Sequence, residues 1–111
     1  MKDDKLYLIH IRECIERVEK YTEGGKNGFL ASTLIQDAVM RNLQTMAEST
    51  QRLSDVTKEA HPEVDWYKIS GFRNVLVHGY LGVDLDRVWI IVERDLPRLR
   101  RAITSMLIEQ E

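Results

Sequence analysis

Residues 32–53 read STLIQDAVMRNLQTMAESTQRL. Turned by about 100° per residue, Ile35, Val39, Met46 and Leu53 fall within about 40° of one stripe. Ser32 or Thr33 stands in front of them as a hydroxyl able to cap a helix N-terminus. The spacing predicts a long amphipathic helix, the longest of the chain, with one apolar face against a core. Asn42 falls inside that stripe. An unpaired buried amide costs about 1 to 3 kcal/mol, so Asn42 is expected to hydrogen-bond a neighbouring helix.

The same periodicity extends in both directions. Upstream, Leu8, Ile11, Ile15 and Val18 recur at three- and four-residue spacing, predicting a first helix that ends before Gly24. The stretch Gly24 to Gly28 lacks the order of a phosphate-binding loop and reads as a turn. Downstream, Pro62 suits the first turn of a third helix and Asp65 is an alternative cap, with Trp66, Ile69, Phe72 and Leu76 as its apolar face and Gly79 as its stop. Asp84 caps a fourth helix carrying Val88, Ile91 and Val92; Asp95 and Pro97 mark a break or kink, after which a last helix restarts through Leu99, Ile103, Met106 and Leu107. No alternating strand pattern, repeat or linker interrupts this, so residues 1–111 are expected to form a single all-α domain, a four- to five-helix up-and-down bundle.

A domain of 111 residues buries only about two thirds of the surface its unfolded chain exposes, so pairing with a second copy is a natural supplement. Cys14 is the single cysteine, which excludes an internal disulfide and a paired-cysteine metal site. The charged N-terminus resembles no signal peptide, and no stretch approaches the roughly 18 apolar residues of a membrane span, so a cytoplasmic chain is expected. The net charge of −2 argues against coating nucleic acid by bulk electrostatics; any RNA contact must be local.

Three histidines, His10, His61 and His78, can titrate near neutrality. His10 lies among apolar neighbours and His61 precedes a proline, neither with an evident chemical partner, and the zinc and serine hydrolase signatures are absent. His78 differs. On a wheel centred on Ile69, Asn74 lies about 140° away and His78 about 180° away, opposite the helix's own core face. Asn74 and His78 form an i, i+4 pair. Arg73 and His78 are five apart and diverge by roughly 140°, so one helix cannot easily aim both at one phosphate. Two copies of the helix across a two-fold axis can.

With Gly79 as the stop, His78 sits in the last turn, where the helix dipole favours an imidazolium. Such a group exchanges protons in both directions near neutral pH, while Arg73, always charged and forked, can hold a phosphodiester. That pair suffices for RNA cleavage through the 2′-hydroxyl without a metal or cofactor, and DNA, lacking that hydroxyl, would be spared. An arginine five residues before a histidine arises readily by chance. Adding Asn74 after the arginine and Tyr80 two beyond the histidine makes the match roughly a thousandfold rarer.

Arg73 to Tyr80 resembles the RX4HXY motif of the HepT-like toxins, a branch of the HEPN ribonucleases. Residues 36–43, Ala47-Glu48, Val64-Asp65-Trp66, Ile69, Val83-Asp84-Leu85, Val88-Trp89 and Asp95-Leu96-Pro97 also look like that family, so the similarity spans nearly the whole chain. The resemblance implies a toxin of a toxin–antitoxin system, an endoribonuclease whose site forms across a homodimer from Arg73 and His78, with Asn74 the variable polar position. It also implies a partner, a minimal nucleotidyltransferase antitoxin that uses ATP and magnesium to attach AMP to Tyr80. Phosphates placed there would compete with RNA for Arg73 and His78. Met46-Ala47-Glu48 departs from relatives that carry glycine at this point, leaving Glu48 without an assigned role. A different class of function stays open, a non-catalytic HEPN subunit that docks or positions a nucleotidyltransferase.

Overall fold

In the computed structural model, which describes residues 2–77 and 82–110, every regular element is helical. The elements are α1 (Lys2–Tyr21), α2 (Gly25–Ala31), α3 (Thr33–Gln51), α4 (Asp55–Ala60), α5 (Trp66–Ser70), α6 (Phe72–Val77), α7 (Leu85–Ile90) and α8 (Leu96–Glu109), with a π-helical turn, Ile91–Asp95, between the last two.

The apolar stripes become the core. Leu8, Ile11, Ile15 and Val18 of α1 meet Val39, Leu43, Met46 and Ala47 of α3 and Leu99, Ile103 and Met106 of α8, all of them buried. The α1–α3 packing is the most extensive in the molecule, followed by α1 against α8. Ser32 caps α3, its hydroxyl accepting from the Ile35 amide at 3.2 Å, as the hydroxyl before the stripe predicts. Asp84 likewise caps α7 through the amides of Asp86 and Arg87.

Several expectations are corrected. Gly24 to Gly28 is not a simple turn: Gly25, at φ +75°, opens the short helix α2, whose Phe29 is buried against Trp89 with ring centroids 5.5 Å apart. α3 is one residue shorter than α1 and stops at Gln51; Leu53 is buried beyond the helix end. Asn42 donates to the Ala38 carbonyl one turn back in its own helix, at 2.8 Å, not to a neighbour. The unforeseen α4 is capped by Ser54.

The third helix is two. The first starts at Trp66 and not around Pro62, behind the alternative cap Asp65, which accepts from the Lys68 amide at 2.9 Å. The helix then breaks at Gly71, whose ψ of −13° flattens the turn before α6. Glycine, the least helix-favouring residue after proline, is where such a break costs least. Pro97, in contrast, breaks nothing. It occupies the first turn of α8, and backbone angles stay right-handed helical from Ile90 to Leu96. Proline has no amide to bond back, and the wider π-helical turn just before it absorbs the mismatch. Residues 85–109 thus form one rod, about 37 Å long at about 1.5 Å per residue, against a longest molecular dimension of 40 Å.

Candidate active site

α6 is short and takes its order from its surroundings. Phe72 is 2% exposed and anchors it against α3, with α5 and α7 on its other sides. The Asn74 and Val75 amides both donate to the Gly71 carbonyl, at 3.0 and 3.4 Å, closing the first turn. With Phe72 turned inward, Arg73 and Asn74 are turned to solvent and Val75 and Leu76 are half-buried. Arg73 makes no ion pair or side-chain hydrogen bond among the described residues. Its guanidinium is therefore available to an anion.

Asn74 lines an open depression together with Gly71, Val75, Gly82, Asp84 and Arg87. Gly82 has φ +120°, a conformation that side-chain-bearing residues rarely adopt, and it leads the chain into the Asp84 cap. Arg87, exposed on the first turns of α7, was not singled out by sequence reasoning. Its position three residues after a capping aspartate is the signal that could have placed it beside the site. His78 and Tyr80, the other two members of the motif, lie outside the described residues.

The remaining histidines are engaged elsewhere. His10 bridges α1 and α3, its Nδ1 2.6 Å from the Ser49 hydroxyl and its Nε2 3.6 Å from the Cys14 thiol, which in turn lies 3.5 Å from the Thr45 hydroxyl. These are polar ties within the packed α1–α3 seam, and Cys14 is fully buried. His61 sits between two carboxylates, Nδ1 at 2.9 Å from Glu63 and Nε2 at 3.0 Å from Glu109, tying the loop before α5 to the end of α8. Glu48 is exposed on α3. No helix of the described residues is long and apolar enough to cross a membrane.

Comparison with known proteins now bears on this geometry. Residues 11–106 match the ribonuclease HepT-like family. A protein of Methanocaldococcus jannaschii, named as a gamma-glutamylcyclotransferase with a provisional RNase assignment, is 35% identical over 97% of the chain, which spans about half (49%) of that relative. A second protein of the same organism, provisionally named an RNase, is 31% identical over 92% of this chain and 94% of its own length. The "probable ribonuclease HepT" of Thermococcus cleftensis is 35% identical over 89% of this chain and 91% of its own. No solved structure matches the chain significantly. With a family match that takes in α3, α6 and most of α1 and α8, the chain belongs to the ribonuclease HepT-like family.

Proposed function

We propose that this chain is an endoribonuclease and the toxin of a toxin–antitoxin pair, acting in the cytoplasm and cutting RNA at a site composed across a homodimer from Arg73 and His78. The observation that carries the reading is an exposed Arg73, with no side-chain partner among the described residues, beside an exposed Asn74 on α6, at the head of the Arg73–His78–Tyr80 motif, in a chain of this family. A guanidinium that no described residue engages offers its fork of donors to a phosphodiester.

In this reading Arg73 holds the phosphate and offsets the charge that develops on its oxygens. His78 takes the proton from the 2′-hydroxyl as that oxygen attacks phosphorus; a second imidazole, or the same one after proton exchange, protonates the 5′ oxygen as the P–O5′ bond breaks. The products are a 2′,3′-cyclic phosphate and a 5′-hydroxyl. By their spacing of five, Arg73 and His78 would diverge on one continuous helix, so in this reading the two copies supply each other's missing group. Asn74 hydrogen-bonds the imidazole or the bound phosphate.

Regulation in this reading is covalent. A minimal nucleotidyltransferase partner, with ATP and magnesium, joins the Tyr80 hydroxyl to the α-phosphate of ATP and releases pyrophosphate. The added diester, at about one negative charge per AMP, then competes with RNA for Arg73 and His78. Incubating the purified chain with RNA in EDTA tests the reading: fragments ending in 2′,3′-cyclic phosphate are expected. RNA left intact, or cut only after magnesium is added, would overturn it.

A further inference from the structure

The depression beside Asn74 is the first of four that run into one another. It shares Gly71, Val75 and Arg87 with a second, which shares Lys68, Phe72 and Asp95 with a third, which shares Glu63, Arg98 and Ala102 with a fourth. Together they form a groove, a line of adjoining depressions between α5–α6 on one side and the rod of residues 85–109 on the other, bridged between the second and third by the Lys68–Asp95 ion pair. On the rod, Arg87, Ile91, Asp95, Arg98, Ala102 and Ser105 line it at successive spacings of three and four, which keeps them on one face. The groove thus begins at the candidate active site and runs about 20 Å from Arg87 to Arg101 at the helical rise.

Its charges are divided unequally between free and occupied groups. Every carboxylate along it is already engaged: Asp84 and Asp65 cap helices, Glu63 accepts from His61, and Asp95 holds Lys68 at 2.9 Å while its other oxygen is buried. Arg87, Arg98 and Arg101 are exposed and make no ion pair or side-chain hydrogen bond among the described residues. Among the described residues the charged side chains left without a partner along it are therefore these arginines. Between Arg87 and Arg98, Tyr67 stands 91% exposed on the groove's α5 wall, a large aromatic face with nothing of its own chain upon it. Spaced cations along a groove with an exposed aromatic ring are what a single nucleic-acid strand requires: phosphates on the cations, a base stacked on the ring.

We infer that this groove seats the substrate strand beyond the bond that is cut: a single-stranded RNA segment whose phosphates lie on Arg87, Arg98 and Arg101 and one of whose bases stacks on Tyr67. The inference rests on the ribonuclease reading and deepens it, making the substrate an extended single strand of several nucleotides. Neighbouring carboxylates moderate the attraction, so affinity builds from several contacts and short RNAs gain little from the groove.

Binding reads this apart from cleavage. Labelled 2′-O-methyl oligouridine cannot be cut, because the attacking hydroxyl is blocked. By fluorescence anisotropy, Arg98→Glu/Arg101→Glu is expected to weaken a dodecamer about tenfold or more and a tetramer less than twofold. The log–log salt slope for the dodecamer should become shallower by about 1.4, the value for two lost single-strand phosphate contacts. Tyr67→Ala should weaken the dodecamer by a comparable factor at an unchanged salt slope, since stacking releases no counterion. Circular dichroism and light scattering check that fold and self-association are retained. Equal effects on both lengths, or no effect on either, would overturn the inference, as would variants that lose self-association or capture of a nucleotidyltransferase while RNA binding persists, since the groove would then seat protein. Length-dependent binding without cleavage of unmodified RNA by the natural chain would leave the groove standing and remove the ribonuclease reading. Cleavage with dodecamer affinity intact in the variants would do the reverse.

Discussion

Asp4, near the start of α1, receives the backbone amide of Ser54 at 2.9 Å and its hydroxyl at 2.6 Å, fifty residues further along the chain. The Thr57 hydroxyl donates to the same carboxylate, and the Ser54 hydroxyl accepts from the Thr57 amide, so a single acid ties the beginning of α1 to the cap of α4. Burial alone would push the Asp4 carboxyl up, but the hydrogen bonds from Ser54 and Thr57 outweigh it and hold the group below its ordinary value of 3.8. A carboxyl depressed on folding contributes stability that is fully present above the unfolded value and is lost as the pH falls through the folded one. Asp4→Asn is therefore expected to lower the urea midpoint at pH 7 and to differ less from the natural chain as the pH falls below about 3.8. Asp4→Ala, which strands three donors, is expected to cost about 1 to 3 kcal/mol. An Asn variant whose deficit is the same at pH 7 and pH 3 would refute the linkage.

Phe29 is the apolar anchor of the short helix α2, which Gln36 also holds by donating to the Phe29 and Leu30 carbonyls. Phe29 is the one buried residue of α2, and its ring meets Trp89 at 5.5 Å. Phe29→Ala is expected to cost about 3 to 5 kcal/mol and to shift Trp89 emission to the red as water reaches the indole. Denaturation followed by fluorescence and by circular dichroism checks both; a loss below about 1 kcal/mol would mean that the site collapses without a cavity.

Arg73→Ala and His78→Ala are each expected to reduce RNA cleavage by about 10² to 10⁴ while leaving the helical signal and melting temperature in place. The exposure of Arg73 makes the second half of that expectation firm for it, since no described contact is removed. A folded His78→Ala protein that still cuts RNA at the natural rate would reject the assignment.

Tyr80 supplies an independent check on regulation. With a nucleotidyltransferase partner, ATP and magnesium, intact-mass spectrometry is expected to show additions of AMP that vanish in Tyr80→Phe, together with loss of RNase activity in the modified chain. Adenylylation that maps to another residue, or full activity after modification, would discard this regulation and leave the ribonuclease reading untouched.

Legibility in the sequence followed the range of the interactions. The apolar stripes of α1, α3 and α8 and the caps Ser32, Asp65 and Asp84 depend on neighbours within one turn, and they could be read from spacing. Asn42 misled because a wheel shows that an amide faces the core but not that it reaches back to Ala38. A disturbance of the helix at Asp95 and Pro97 was legible but its form was not: the preceding π-helical turn takes up the missing bond and the helix runs on. The split at Gly71 matters most for the site. A wheel drawn from Ile69 assumes one continuous helix, whereas α5 ends at Gly71 and α6 is held by the packing of Phe72 and its helix on α3, a contact far apart in sequence. Asn74 was legible as exposed, whereas Arg73, only about 40° from Ile69 on that wheel, was not, and neither were Arg87 and the groove beyond it, which come together only across α6 and α7.

The division of the third helix at Gly71 also determines where the native state yields first. Helices of five and six residues fall well below the roughly 12 to 15 that an isolated helix needs to persist in water, so α5 and α6 exist only while α3 supports them. α3 and α1, each near twenty residues and packed on one another, belong to the unit that opens only with the whole domain. Amide hydrogens of residues 66–77 are accordingly expected to exchange with deuterium through a smaller, local opening, ahead of those in residues 39–47. The arginine of the motif is thus carried on the part of the protein that a binding strand or a second copy can reorder at least expense to the remainder.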